Sequence, residues 1–204
     1  MEIAPLGIDG ALVVTPRQFQ DDRGVFLESF RGDRLAEQLG HRPDIVQTNI
    51  SVSSAGTLRG IHFADVPPGQ GKYVTCTSGA LIDYIIDIRV GSPTFGRVES
   101  VRLDPIDRRA VWLAEGLGHA FYALEDATTA VYLCTAAYNP TAEHGIHPLD
   151  PTVALPLPDG PRVLSPKDES APTLADAQAQ GLLPSYAACL AWAATLAERP
   201  TTSG

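Results

Sequence analysis

The stretch ALIDYIIDIRV, residues 80–90, decides the fold. As a strand, it would have one face made only of apolar side chains, at Ile82, Tyr84, Ile86, Ile88 and Val90. The other face would mix apolar and charged side chains, at Leu81, Asp83, Ile85, Asp87 and Arg89. Apolar residues that recur at every second position are typical of a β-strand with one buried face. We therefore predict a strand that packs into a core here.

Short runs rich in β-branched and aromatic residues recur along the chain, at 45–52, 57–63, 72–77, 97–103, 110–113 and 129–135. Turn-forming sequences such as PPGQG and GSP separate some of these runs. Many short strands joined by such turns indicate antiparallel pairing. We predict an all-β fold, a jelly roll or cupin-like double-stranded β-helix.

The pattern changes after the last of these runs. Residues 148–166 are rich in proline and predict an extended arm. Residues 173–180, followed by Gly181, predict a short capped helix, and residues 185–198 predict a longer one. We expect these C-terminal helices to pack on the outside of the barrel.

Length and composition narrow the class of protein. A chain of 204 residues suits one domain, with a core at about 9–136 and the arm and helices at about 137–200. The start MEIAPLGIDG lacks a secretory signal, and no apolar run approaches the roughly 20 residues that span a bilayer. We expect a cytoplasmic protein with no membrane partner. The net charge of −9 argues against nucleic-acid binding, which needs a basic surface.

Metal and cofactor motifs are missing from the sequence. The three cysteines, Cys76, Cys134 and Cys189, lack C-x-x-C spacing and predict buried free thiols. Metal-binding cupins carry a His-x-His pair, but Ala64 stands two residues after His62. Dinucleotide, P-loop and nucleophile-elbow motifs are also missing. We expect no metal and no cofactor, so that any chemistry rests on side chains.

His62, in TLRGIHF, is the first candidate for chemistry. A lone strand histidine is usually structural, but one near cations such as Arg59 and Lys72 can act as a neutral base beside an anionic substrate. Regular alternation would place His62 with Leu58 and Gly60, and Arg59 on the other face. Both side chains reach one cavity if Gly60 forms a bulge, which we favour, or else Arg59 serves a neighbouring subunit.

Three more side chains have two interpretations each. Lys72 follows the PPGQG turn and is either a solvated edge lysine or a cation facing a cavity. Tyr132, in VYLCTAAYNP, is either a core residue or a proton donor to a carbanion. His119, in GLGHAF, follows a Gly-Leu-Gly turn and either faces a ligand or is a buried polar group.

An ordered set of motifs resembles the dTDP-4-dehydrorhamnose 3,5-epimerase family over about residues 9–186. The motifs are DDRGVFLESF, QTNISVSSAGTLRGIHF, PPGQGKYV, DIRVGSPTFG, EGLGHAF, YLCTAAYNP, EHGI and LSPKD. Each motif alone is weak, but the ordered set is specific. The resemblance implies a jelly-roll homodimer that needs no cofactor. It also implies the substrate dTDP-4-dehydro-6-deoxyglucose, whose C4 ketone acidifies the protons at C3 and C5.

The resemblance also implies residue roles. The family's catalytic base matches His62, its proton donor matches Tyr132, and the carboxylate that pairs with the base matches Asp168. Tyr138 matches the tyrosine that stacks on the thymine ring. Further substrate-contacting positions match Arg23, Glu28, Gln47, Asn49, Arg59, Lys72, His119, Glu143 and Lys167. Thr48 lies within the binding segment, where we expect it to contribute its backbone.

The implied chemistry needs a base with a pKa near neutral and a group that holds the charge of the enolate. We expect Lys72 and His119 to bind the C4 oxyanion. Arg23, Arg59 and Lys167 are expected at the diphosphate. One departure is Leu157, which stands where the family usually has tryptophan and leaves the packing of the arm open.

Three other functions share parts of the pattern. A mono-epimerase that inverts only C3 or only C5 would keep the same residues, so the sequence leaves it open. A non-catalytic sugar- or nucleotide-binding jelly roll would not need the set of His62, Tyr132 and Asp168. A metal-dependent cupin enzyme would need the ligand spacing that the chain lacks.

Overall fold

The computed structural model of the protein describes residues 1–198. The strands in this part of the chain are β1 (Glu2–Pro5), β2 (Ala11–Thr15), β3 (Gln18–Asp21), β4 (Gly24–Leu27), β5 (Gln47–Ser53), β6 (Leu58–Ala64), β7 (Lys72–Ser78), β8 (Leu81–Ile86), β9 (Val98–Leu103), β10 (Ala110–Leu113), β11 (Gly118–Ala123), β12 (Thr128–Cys134) and β13 (Glu143–Gly145). The helices are α1 (Gly32–Leu39), α2 (Pro166–Glu169), α3 (Leu174–Ala179) and α4 (Tyr186–Ala197). No helix among the described residues is long and apolar enough to cross a bilayer.

Two antiparallel sheets form the body of the protein. One has the strand order β1-β2-β10-β7-β12-β5 and the other the order β13-β6-β11-β8-β9. Strands that pair within a sheet are often distant in sequence, which is typical of a jelly roll. Apolar side chains from both sheets form an inner core, which includes Val74, Cys76, Leu81, Ile85, Val111, Leu113, Phe121 and Ala130. The predicted all-β jelly roll with short C-terminal helices is confirmed.

Strand β8 contains the first part of the stretch ALIDYIIDIRV, residues 80–90. Leu81 and Ile85 face the inner core, as the alternation predicts. Tyr84 and Ile86 face the other way, into an outer core that also contains Leu58, Ile61, Phe63, Ile88, Val153, Leu155, Leu174 and Leu183. The predicted end of the strand is wrong, since β8 ends at Ile86 and the next residues form a turn. In this turn the Asp87 carboxylate accepts hydrogen bonds from Arg89, Ser92 and Thr94.

The arm and α3 cover the outer core. Leu157 packs against the outer core, so leucine at this position keeps the arm in contact with the barrel. Thr173 and Ser185 cap α3 and α4 through their hydroxyl oxygens, so both predicted helices are confirmed. Residues 199 and 200 of the expected C-terminal region lie outside the described residues, and the single-domain expectation stays a prediction.

Several elements lack a clear sequence pattern. Strands β3 and β4 form a hairpin separate from both sheets, and nearly all of its residues are exposed. The turn expected in GLGHAF is limited to its first residues, with φ 91° at Gly116. Strand β11 begins two residues later, so His119 is a strand residue.

Candidate active site

A cavity of about 180 Å³ lies between the two sheets near one end of the barrel. Its walls are formed by Gln47, Asn49, Arg59, His62, Gln70, Lys72, His119, Phe121, Tyr132, Tyr138 and Glu143. Most of the site residues implied by the family resemblance are in this set. A larger hollow of about 750 Å³ lies between α4 and the α1–β5 loop and contains none of them.

A bulge in β6 brings Arg59 and His62 to the same cavity. His62 pairs with His119 on β11, but Arg59 pairs with Phe121, so β6 has one more residue than β11 in this interval. The extra residue is accommodated at Gly60, where φ is +113° and a Cβ would collide with the carbonyl oxygen of His119. The predicted bulge is confirmed. The expected shared face of Leu58 and His62 is wrong, because Leu58 lies in the outer core.

His62 forms a pair with Asp168. The Nε2 atom of His62 lies 2.7 Å from Oδ1 of Asp168, and the two side chains are 36% and 5% exposed. Helix α2 supplies the carboxylate, and the Ser165 hydroxyl accepts a hydrogen bond from the Asp168 N–H. Because Nε2 is occupied, Nδ1 is the ring nitrogen left to take a proton.

The charge of Asp168 depends on this pairing. Burial alone would raise the pKa of its carboxyl, but hydrogen bonds from His62 and Ser165 and the charge of His62 lower the pKa below its ordinary value. The carboxylate is therefore ionised at neutral pH. An ionised partner stabilises the imidazolium that forms when His62 accepts a proton.

A second histidine–carboxylate pair lies beside the first. Nε2 of His119 is 2.8 Å from Oδ2 of Asp83, and these side chains are 9% and 0% exposed. Burial raises the pKa of the Asp83 carboxyl, although His119 and Lys72 oppose the shift. Among residues 1–198, Oδ1 of Asp83 has no hydrogen-bond partner. The His119–Asp83 pair therefore lies in a buried part of the cavity wall, away from solvent.

The six-stranded sheet forms the opposite wall of the cavity. Tyr132 on β12 donates a hydrogen bond of 2.6 Å from its hydroxyl to Oγ of Ser51 on β5. Burial raises the pKa of the Tyr132 hydroxyl, while the Ser51 hydrogen bond and the charge of Arg59 oppose the rise. A protonated tyrosine therefore faces the sheet that carries His62.

Lys72 begins β7 on the same wall as Tyr132. Burial lowers the pKa of its ammonium group, and the acidic groups at Cys134, Glu143, Asp83 and Glu115 oppose the shift. Lys72 therefore faces a cavity and is not a solvated edge lysine.

Four residues implied by the resemblance lie elsewhere. Arg23 and Glu28 belong to the hairpin segment, where Arg23 pairs with Asp21 and Glu28 pairs with Arg31. Thr48 and Lys167 are exposed and do not line the cavity. Thr48 points away because it alternates with Gln47 and Asn49 along β5, and Lys167 precedes Asp168 on α2, whose carboxylate turns inward. None of these four side chains lines the cavity of its own chain, and their roles at the substrate stay predictions.

Three further polar residues contact the site residues, and none of them was predicted from the sequence to be a site residue. Ser51 contacts Tyr132, Ser53 accepts a hydrogen bond of 3.1 Å from Nε of Arg59, and Asp83 contacts His119. The two serines share the period-two spacing of Gln47 and Asn49, so alternation would have found them. Asp83 is a charged residue inside an apolar strand, which is a second available signal.

Potential metal ligands are dispersed. No group of three or more His, Cys, Asp or Glu side chains within residues 1–198 is arranged to hold a metal ion. All three cysteines are buried and unpaired, as predicted.

Comparisons with known proteins place the chain among the carbohydrate epimerases, which are isomerases. The family model described as dTDP-4-dehydrorhamnose 3,5-epimerase matches residues 5–176. The chain belongs to this family of epimerases.

Individual relatives cover nearly the whole chain. A Streptomyces niveus protein named dTDP-4-dehydrorhamnose 3-epimerase is 53% identical, over 94% of this chain and 92% of the relative. A Mycolicibacterium smegmatis protein named dTDP-4-dehydrorhamnose 3,5-epimerase is 50% identical, over 96% of this chain and 97% of the relative. The structure of ChmJ, a 3'-monoepimerase from Streptomyces bikiniensis in complex with dTDP-quinovose, superimposes with a TM-score of 0.93 at 45% identity, over 96% of this chain and 99% of ChmJ.

Proposed function

We propose that the protein is a dTDP-4-dehydrorhamnose 3,5-epimerase that inverts C3 and C5 of dTDP-4-dehydro-6-deoxyglucose. The observation that carries this proposal is the placement of His62 and Tyr132 on opposite walls of one cavity. Inversion removes a proton from one face of a carbon and returns a proton to the other face. A base and an acid that face each other meet this requirement.

The first step is removal of a proton next to the C4 ketone. Nδ1 of His62 accepts this proton, and the ionised Asp168 stabilises the resulting imidazolium. The C–H electron pair moves towards the ketone, which becomes an enolate oxyanion. Lys72 and His119 line the cavity and supply N–H donors to that oxygen.

The second step is reprotonation from the opposite face. Tyr132 donates its hydroxyl proton to the carbon, and the electron pair of its O–H bond stays on the tyrosine oxygen as phenolate. The nearby charge of Arg59 favours the phenolate. Both steps use protein side chains, so the proposal requires no metal and no cofactor.

The nucleotide lies at the mouth of the cavity in this proposal. Arg59 meets the diphosphate, because a guanidinium group donates two parallel hydrogen bonds to a phosphate. Tyr138 is 55% exposed, and its N–H donates a hydrogen bond of 2.9 Å to Oε1 of Gln47. This position leaves the ring of Tyr138 available to stack on thymine.

We also propose a homodimer. The outer face of the edge strand β5 exposes Ile50 by 68% and Val52 by 61%, and the hairpin exposes Phe26 by 68%. Exposed apolar side chains on an edge strand favour a protein partner. Arg23 and Glu28 lie outside their own cavity, so in this proposal they serve the cavity of the second copy.

A test of the dimer combines two impaired variants, assayed at a substrate concentration below KM. Mixtures of His62→Ala and Arg23→Ala chains should regain part of the activity, because each mixed dimer contains one cavity with neither change. A monomer by light scattering, or no recovery on mixing, would contradict the shared site.

A mono-epimerase is the second candidate, favoured by the similarity to the Streptomyces niveus protein named dTDP-4-dehydrorhamnose 3-epimerase and to the 3'-monoepimerase ChmJ. Incubation with dTDP-4-dehydro-6-deoxyglucose in D₂O distinguishes the two. Deuterium with inversion at both C3 and C5 supports the 3,5-epimerase, and inversion at one carbon identifies the mono-epimerase. No deuterium at either carbon would contradict both.

A further inference from the structure

The inner face of β5 carries four polar side chains in alternation, at Gln47, Asn49, Ser51 and Ser53. Gln47 and Asn49 line the cavity, whereas Ser51 and Ser53 contact groups that line it. The contact between Ser51 and Tyr132 joins two hydroxyl groups on neighbouring strands. We propose that Ser51 is a positioning residue for Tyr132, which holds the tyrosine hydroxyl ready for proton donation and then stabilises the phenolate. This inference rests on the proposed function.

The backbone fixes where the Ser51 hydroxyl lies. Strands β5 and β12 pair without interruption over seven residues, with Ala130 opposite Ser51 and Tyr132 opposite Asn49. Ser51 and Tyr132 are therefore diagonal neighbours on one face, a spacing that a long aromatic side chain can cross. Serine has a single side-chain torsion before its oxygen, so little freedom remains in the contact of 2.6 Å.

A hydroxyl group suits both protonation states of Tyr132. Serine offers one donor hydrogen and two acceptor lone pairs. Before the transfer, Ser51 accepts the hydrogen bond that Tyr132 donates. When the substrate carbanion forms, the Ser51 hydroxyl rotates and donates to the Tyr132 oxygen, which turns the tyrosine proton towards the sugar.

The transfer then balances at each atom. The tyrosine O–H bond breaks, a C–H bond forms with the carbanion's electron pair, and the phenolate keeps the electron pair of the O–H bond. Ser51 retains its proton and donates a hydrogen bond to the phenolate. After each inversion the His62 imidazolium releases its proton to solvent and the Tyr132 phenolate takes a proton from solvent, so both groups return to their starting states.

Ser53 is the matched control, because it is the next residue on the same face of β5 and contacts a different group. It accepts a hydrogen bond from Arg59, which the proposed function assigns to the diphosphate. Loss of the Ser53 hydroxyl should therefore weaken substrate binding. The ratio of the proton-removal rate to the reprotonation rate should not change.

The experiment measures solvent exchange at C3 and inversion in D₂O for wild type, Ser51→Ala, Ser51→Thr and Ser53→Ala. We expect Ser51→Ala to keep exchange within about threefold of wild type and to lose inversion about tenfold or more, the scale of a hydrogen bond to a charged group. Ser51→Thr keeps a hydroxyl and should recover most of the inversion rate. Ser53→Ala should raise KM and leave the ratio of exchange to inversion unchanged.

Two results would overturn the positioning role: an unchanged ratio in Ser51→Ala, or a Ser51→Thr variant that behaves like Ser51→Ala. If Ser51→Ala does not fold by circular dichroism, Ser51→Cys keeps the volume with a weaker hydrogen-bonding group and should shift the ratio in the same direction. A wild-type enzyme that exchanges no proton contradicts the proposed function itself, which separates the two failures.

Discussion

The two histidine–aspartate pairs have nearly the same contact distance and different surroundings. His62 and Asp168 are joined at 2.7 Å, with the histidine 36% exposed. His119 and Asp83 are joined at 2.8 Å, with both side chains almost fully buried. The two histidines are opposite each other on paired strands. Burial, rather than contact geometry, distinguishes the two pairs.

Burial has opposite consequences for the two carboxyl groups. Hydrogen bonds to Asp168 outweigh its desolvation, so the pKa of its carboxyl falls. Asp83 has fewer donors and no exposed surface, so the pKa of its carboxyl rises. We infer that the first pair stores a positive charge on His62 during the reaction. In the buried second pair, His119 lines the cavity and is placed to donate a hydrogen bond to the substrate.

The largest effect is expected at the exposed histidine. His62→Ala removes the base and should lower both solvent exchange at C3 and inversion by about 10²-fold or more. Deuterium incorporation followed by NMR measures both rates. If activity stays within a few-fold of wild type, His62 is not the base and the two pairs do not differ in the proposed way.

Tyr132→Phe distinguishes the role of the Tyr132 wall, which returns a proton, from the role of the His62 wall, which removes one. The variant keeps the His62–Asp168 pair and removes the proton donor, so inversion should fall about 10²-fold while exchange at C3 persists. The same NMR assay reports both rates. Loss of exchange together with inversion would show that proton removal also depends on Tyr132.

Lys72→Met tests whether the buried ammonium group of Lys72 stabilises the C4 oxyanion. Turnover should fall by about 10- to 10²-fold because the oxyanion loses a charged donor. The melting temperature should stay level or rise, since the variant no longer buries an ammonium group. A marked loss of melting temperature would instead assign Lys72 a structural role.

The pH dependence of Lys72 has a defined sign. The folded protein holds the Lys72 proton less tightly than the unfolded chain, because burial lowers its pKa from the ordinary 10.5. Between the folded and unfolded pKa values the unfolded chain binds more protons, so this group makes stability rise with pH. The wild type should lose turnover in the same interval, and Lys72→Met should show neither trend.

The smallest effect on turnover is expected at Arg59, which belongs to neither pair. Arg59→Ala should raise KM about tenfold and leave kcat within about threefold, because the guanidinium contacts the diphosphate rather than the reacting carbons. Steady-state kinetics over a range of substrate concentrations give both constants. An unchanged KM would mean that Arg59 has no role at the diphosphate.

Local patterns predicted much of the fold. Alternation identified most of the sheet strands, and the caps at Thr173 and Ser185 marked two helices. The hairpin β3–β4 was missed because its side chains bury little surface and do not alternate between a core face and a solvent face. The end of β8 was missed because Asp87 turns the chain through contacts with Ser92 and Thr94, which alternation does not report.

The site was harder to predict from spacing alone. Gly60 allowed a bulge to be predicted, and the bulge places Arg59 beside His62. The pairing of His62 with Asp168 joins residues 106 positions apart, and no local pattern contains that contact. The difference in burial between Asp83 and Asp168 depends on the packed structure.

The most direct test of the contrast between the pairs compares Asp168→Asn with Asp83→Asn in the C3 exchange assay. An ionised Asp168 loses its charge in the first variant, and exchange should fall about 30-fold or more. Asparagine at position 83 keeps the size of the side chain and a hydrogen-bonding group for His119, and it leaves the His62–Asp168 pair intact, so exchange should stay within about fivefold of wild type. Equal losses in the two variants, or a larger loss in Asp83→Asn, would contradict the assignment of proton removal to the His62–Asp168 pair.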